Sequence, residues 1–213
     1  MLTLVGVLSV AGGARAAEAE ASTSGWRIKG EFNLAPAFAA QIATLEPNPS
    51  NSTPAETFSA PMALVLPTLG VNLGHVSTKQ VRWGARLALQ LGPVLAGGRE
   101  IPGVEYNAQG RIVLGPTVGW QLSGSSPLEL EFGLGLAVQA MGGGQQGEVT
   151  PNQIAQPQFG VDALGRVIWR PWGEQALFAF QGGLDLGWAV APSSGGGSHG
   201  FLVAPEFGIV VGL

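Results

Sequence analysis

From Pro127 to Gly142 the chain reads PLELEFGLGLAVQAMG, and its large apolar residues share one parity: Leu128, Leu130, Phe132, Leu134, Leu136, Val138 and Ala140. The other parity holds Glu129, Glu131, Gly133, Gly135, Ala137, Gln139 and Met141. Successive side chains of a strand point to opposite faces, so one face of this segment is a wall of hydrocarbon. The other face carries carboxylates, amides and bare glycine. No 3.6-residue stripe fits it.

The pattern recurs in order along the chain. A first strand from Trp26 sets Ile28, Phe32, Leu34 and Phe38 against Arg27, Lys29, Glu31 and Asn33, and a loop is expected over Gln41–Ala60. A second sets Ala63, Val65, Leu69, Val71 and Leu73 against Thr68, Gly70, Asn72 and Gly74. After a tight connection at His75–Lys79, the third opposes Val81, Trp83, Leu87, Leu89 and Leu91 to Arg82, Arg86 and Gln90. A second long loop is expected over Gly97–Gly110, with Tyr106 in it. The fourth strand then places Ile112, Leu114, Val118 and Trp120 opposite Arg111, Thr117 and Gln121. The Pro127–Gly142 strand follows a short turn and precedes a loop over Gly142–Asn152. The sixth opposes Phe159, Val161, Val167 and Trp169 to Gln158, Asp162, Arg166 and Arg170. The seventh opposes Phe178, Phe180, Leu184, Leu186 and Trp188 to Gln181, Asp185 and Gly187. A loop over Ala191–Gly200 leads to the eighth, where Phe201, Val203, Phe207, Ile209 and Val211 face away from Glu206, Gly208 and Gly212.

Eight such segments predict an all-β fold, an eight-stranded antiparallel up-and-down transmembrane β-barrel. A soluble barrel holding an apolar ligand is the architectural rival, and composition decides which face points out. Charged residues are 11% of the 213 residues, against about a quarter in an ordinary soluble domain, and the polar parity is rich in glycine. That is a poor exterior for water. Eight bulky walls would also overfill a narrow core, whereas lipid accepts them. Connections alternate short and long, the rhythm of periplasmic turns and extracellular loops. Trp26, Trp83, Trp120, Trp169 and Trp172 gather at the short-turn rim and Trp188 lies near the other, as an interfacial girdle requires. Pro36, Pro67, Pro93, Pro116 and Pro205 lie inside strands, where bulges or local pairing defects are expected.

Residues 1–16 read as a signal peptide, with an apolar run from Leu2 to Ala11 and cleavage after Ala14-Arg15-Ala16. Residues 17–25 would be a short periplasmic segment and 26–213 one barrel domain. Both termini are thus expected on the periplasmic side of a bacterial outer membrane. With this layout, the region from Trp26 to Leu213 resembles the small eight-stranded outer-membrane barrels of the OmpX and OmpA-transmembrane type. The closing segment Phe207–Leu213 is similar to the one by which such proteins engage the barrel-assembly machinery, except that it ends in Leu213 where an aromatic is usual.

An eight-stranded lumen is just wide enough to be filled by side chains. Arg27, Lys29, Arg82, Arg86, Arg111, Arg166 and Arg170 point into it, as do Glu31, Glu129, Glu131, Asp162, Asp185 and Glu206. Buried charges need partners, so a luminal salt-bridge network is expected, with Glu129 at the level of Arg170 or Arg166. Net charge is −4 with no basic run, which argues against nucleic acid, and the absence of cysteine excludes disulfides and thiolate sites. The Ser/His neighbours, His75 with Ser77 and Ser198 with His199, lie at opposite rims and form no catalytic group or shared metal site. No cofactor is expected. The reading is a non-enzymatic barrel that serves envelope structure or contacts an extracellular partner through its long loops. A narrow channel for small solutes or ions and a lipid-modifying enzyme are the alternatives.

Overall fold

The computed structural model describes residues 25–45, 56–77, 80–98, 104–122, 127–145, 157–173, 176–191 and 198–212. The expected signal peptide and the segment up to residue 24 lie outside the described residues. Eight strands follow in order: β1 (Gly25–Leu45), β2 (Glu56–Val76), β3 (Val81–Gly97), β4 (Val104–Gln121), β5 (Leu128–Gln145), β6 (Gln158–Trp169), β7 (Phe178–Ala191) and β8 (Ser198–Gly212). Each pairs antiparallel with the next, and β8 closes on β1, so every edge is consumed. The alternation read from the sequence becomes inside and outside. Leu134 and Leu136 are 69% and 73% exposed, while Glu129 and Glu131 on the same strand are 1% and 2% exposed.

Strands run past the expected loop boundaries. Gln41–Leu45 pairs with Glu56–Ala60, and Val104–Gly110 pairs with β3 or β5, although both stretches have loop composition. Once a hairpin is in register, each further pair satisfies two backbone groups at little extra closure cost, so pairing outlasts the apolar pattern. Tyr106 is therefore a buried strand residue at 8% exposure, not a loop residue. His199 likewise belongs to β8 and not to a loop.

The in-strand prolines break hydrogen bonds without shifting register. Pro36 and Pro205 flank a gap in the β1–β8 ladder between Leu34↔Phe207 and Phe38↔Val203. Pro67 and Pro93 share a gap in β2–β3 between Thr68↔Gln90 and Leu64↔Val94, and Pro116 lies in one in β4–β5 between Leu114↔Leu136 and Thr117↔Gly133. On its other side each proline stays paired, for example Pro116 with Ala85 and Pro205 with Leu184. Local pairing defects are thus the answer at all five, and the two register shifts lie elsewhere, at Ala63/Leu64 and Tyr106/Ala108. Glycine precedes two of the prolines for a steric reason: a Cβ on Gly92 would strike the Val65 carbonyl, and one on Gly115 the Leu134 carbonyl.

Candidate functional site

The lumen holds the chemistry, and the strand parity decides who enters it. At the short-turn end Glu129 of β5 accepts three cations: Lys29 Nζ at 3.1 Å, Arg82 Nη1 at 2.9 Å and Arg170 Nη1 at 2.6 Å. These come from β1, β3 and the residue that follows β6, so one carboxylate ties three separated parts of the wall. Glu131, two residues on, accepts from Lys29 at 3.3 Å and from Arg166 Nε at 2.9 Å. Arg166 also reaches Glu31, which receives Arg86 Nε at 2.5 Å. Asn72 amide donates to Thr117 Oγ1 at 3.0 Å beside them.

Farther in, Arg111 faces two carboxylates, Asp162 at 2.5 Å and Asp185 at 3.5 Å. Gln90 donates to Asp185 at 2.8 Å and to Glu206 at 3.3 Å. Glu206 is also approached by Arg86 at 3.8 Å and by the Asn33 amide at 3.3 Å. Every acidic residue expected in the lumen lies there and meets at least one cation. Of the cations, Arg27 stands apart: it is half-buried at the mouth and joins no ion pair among the described residues.

Two parts of the lining go beyond the sequence pattern, which places Gln139 and Gln158 inward but Gln41 and Gln109 in loops. Toward the long loops, Gln158 donates to Gln41 Oε1 at 2.8 Å and to Ser198 Oγ at 3.0 Å, Gln139 bonds Gln158, and Gln109 donates to Gln139 at 3.3 Å. Beside them Ala35, Ala37, Ala39, Met62, Leu64, Leu66, Tyr106 and Leu202 form an apolar cluster inside the barrel. The signal for the first was the recurrence of glutamine on the inward parity. The second had a weaker one: Leu64 and Leu66 sit in an apolar run, LVL, that gives both faces of β2 the same character.

The tryptophans stand on the outside. Trp26, Trp83, Trp120, Trp169 and Trp172 are 70%, 59%, 58%, 48% and 67% exposed at the short-turn rim, and Trp188 is 42% exposed near the other. Both histidines lie against them. His75 meets Trp26 edge-on with centroids 5.3 Å apart, and His199 stacks on Trp188 at 6.3 Å. Ser77 donates its hydroxyl to Val81 O at 3.2 Å, and Ser198 accepts from Gln158. The two Ser/His neighbour pairs thus remain at opposite rims.

No family model matches this sequence, and no curated protein does. Among solved structures the chain is similar to neisserial surface protein A, at 11% identity and a TM-score of 0.44, covering 87% of this chain and 96% of that one. It is also similar to the outer membrane protein OprG from Pseudomonas aeruginosa, at 11% identity and 0.44, over 90% and 97% of the two chains. The N-terminal β-barrel domain of Pseudomonas aeruginosa OprF aligns at 13% identity and 0.34, over 79% and 96%.

Proposed function

We propose that the chain is a non-enzymatic barrel of the bacterial outer membrane that serves envelope structure and presents its long-loop rim to an extracellular partner. The observation that carries this reading is inverted polarity. Large residues such as Phe38, Leu91, Phe132 and Leu136 are 66%, 62%, 55% and 73% exposed around the whole wall, while the buried positions include Glu129, Arg111 and Asp185. Water would not tolerate that exterior, and hydrocarbon favours it.

On this reading the six tryptophans form interfacial girdles, both termini lie on the periplasmic side, and β8 is the segment offered to the assembly machinery. Lipid is the first partner. The ion pairs, one set linking β1, β3, β5, β6 and β8 and another linking β4, β6 and β7, favour a filled cylinder over a pore, since Arg111, Glu129, Glu206 and Asp185 are all at most 2% exposed. Membrane fractionation with an alkaline wash, followed by planar-bilayer recording of the refolded chain, tests both parts. Retention in the pellet with no current is expected. Release by the wash would return the barrel to the soluble class, and steady charge-selective current would make the lumen a channel.

A further inference from the structure

Among the described residues, the short-turn mouth of the lumen carries more positive than negative charge. Lys29, Arg82 and Arg170 share Glu129, and Glu131 gives one oxygen to Lys29 while the other is held by Arg166. Arg27, unpaired among the described residues, adds a further cation to the same mouth. Deeper in the barrel the balance reverses, with Asp162 and Asp185 on one Arg111. Low-dielectric walls focus such a potential at the opening.

A cavity of about 10 Å³, partly open to solvent, lies at this mouth between Arg27, Lys29, Arg82, Asn72 and Thr117, with the Glu131 carboxylate, already held by Lys29 and Arg166, also on its wall. That is room for roughly one water-sized group. Gly84 and Gly119, inward positions on neighbouring strands, let Asn72, Thr117 and Glu129 pack against the backbone beside this space. A Cβ on Gly84 would lie 2.6 Å from Asn72 Oδ1 and 3.0 Å from Thr117 Oγ1, and one on Gly119 would lie 2.5 Å from Glu129 Oε1.

We infer that this mouth binds a phosphate-type oxyanion. One oxygen enters the cavity toward Lys29, and the remaining oxygens stay in the opening, where the forked donors of Arg27 and Arg82 match them. Arg27 is the residue available for this task, because the other cations already hold carboxylates. Two sources supply the same chemistry: dissolved phosphate, and the phosphodiester of a lipid headgroup at the rim, where exposed Trp83 also borders the cavity. The inference depends neither on a closed lumen nor on which side of a membrane the mouth faces.

The test uses the whole chain refolded in a phosphate-free non-ionic detergent. Inorganic phosphate is titrated against sodium chloride of equal ionic strength, reading the thermal midpoint and the 31P linewidth. A saturable rise in midpoint with phosphate is expected, with at least tenfold weaker half-saturation in Arg27→Gln and partial recovery in Arg27→Lys. Gly84→Ala, whose Cβ would push Asn72 and Thr117 at the cavity wall, should also lose binding. Equal responses to phosphate and chloride, or an unchanged titration in Arg27→Gln or in folded Gly84→Ala, would overturn the site. Glycerophosphoglycerol then separates the sources: displacement of inorganic phosphate by the diester identifies a headgroup site, and binding of inorganic phosphate alone identifies the dissolved ion.

Discussion

At the short-turn end of the lumen one carboxylate, Glu129, gathers three cations, whereas at the long-loop end Gln41, Gln109, Gln139 and Gln158 hold one another by neutral amide bonds. Both ends lie inside the same wall, yet their failure modes differ. An ion cluster is costly to break, since removing one partner strands charges in a medium that cannot solvate them. An amide cluster loses one modest bond at a time. β1 and β2 are 21 residues each, about twice what a bilayer crossing needs, so the amide end extends toward a region where water substitutes for lost partners. The ionic end therefore carries the specification of the barrel, and the amide end fills it.

The contrast can be broken most directly at Glu129. Glu129→Gln leaves Lys29, Arg82 and Arg170 without their shared carboxylate and should lower the unfolding free energy in detergent by about 3 to 5 kcal/mol. A urea midpoint equal to that of the parent would show that water already screens this end, and the two ends would then be alike.

The same strand supplies a control for the wall itself. Leu134 faces outward at 69% exposure, so Leu134→Arg places outside the wall the side chain that Arg166 places inside it. A loss of about 2 to 4 kcal/mol and poor insertion into vesicles are expected. Full refolding yield for this variant would contradict a lipid-facing β5.

At the amide end Gly200 is the sensitive point, because a Cβ there would press on Gln139 Nε2, Gln41 Nε2 and Gln158 Oε1. These are ends of flexible side chains that can rotate away. Gly200→Ala should cost about 1 kcal/mol, the low end of overpacking, by the same urea measurement. A loss as large as that of Glu129→Gln would make the amide cluster as stringent as the ionic one.

The smallest effect is expected at Gln109, which is 1% exposed and whose Oε1 has no hydrogen-bond partner. Gln109→Leu removes an unsatisfied acceptor along with one bond to Gln139, so the net change should stay within about 0.5 kcal/mol. A decrease above 2 kcal/mol would show that Gln109 is braced by contacts beyond that bond.

Period-two alternation determined the strand count and which residues share a face, and composition with the tryptophan and loop pattern determined the inward placement of Glu129, Glu131, Arg166 and Arg170. Parity is a local property of the chain, so it is legible before any strand finds its neighbour. The tertiary structure alone decided which inward residues meet across the lumen, beyond the neighbouring-strand pair of Glu129 and Arg170. Glu129 and Lys29 are a hundred residues apart, and only closure of β8 on β1 brings β1 within reach of β5 across the lumen. Closure also decided the fate of Arg27, left at the mouth with no ion pair among the described residues, and of Leu64 and Leu66, which face inward opposite alanines of β1. It extended β1, β2 and β4 through stretches of loop composition and buried Tyr106, since paired backbone groups hold a ladder after the apolar signal ends. The prolines show the division most clearly. Sequence marks Pro36, Pro67, Pro93, Pro116 and Pro205 as sites of a missing donor, but which ladder loses its bonds depends on which neighbour each N position faces, and that exists only in the closed barrel.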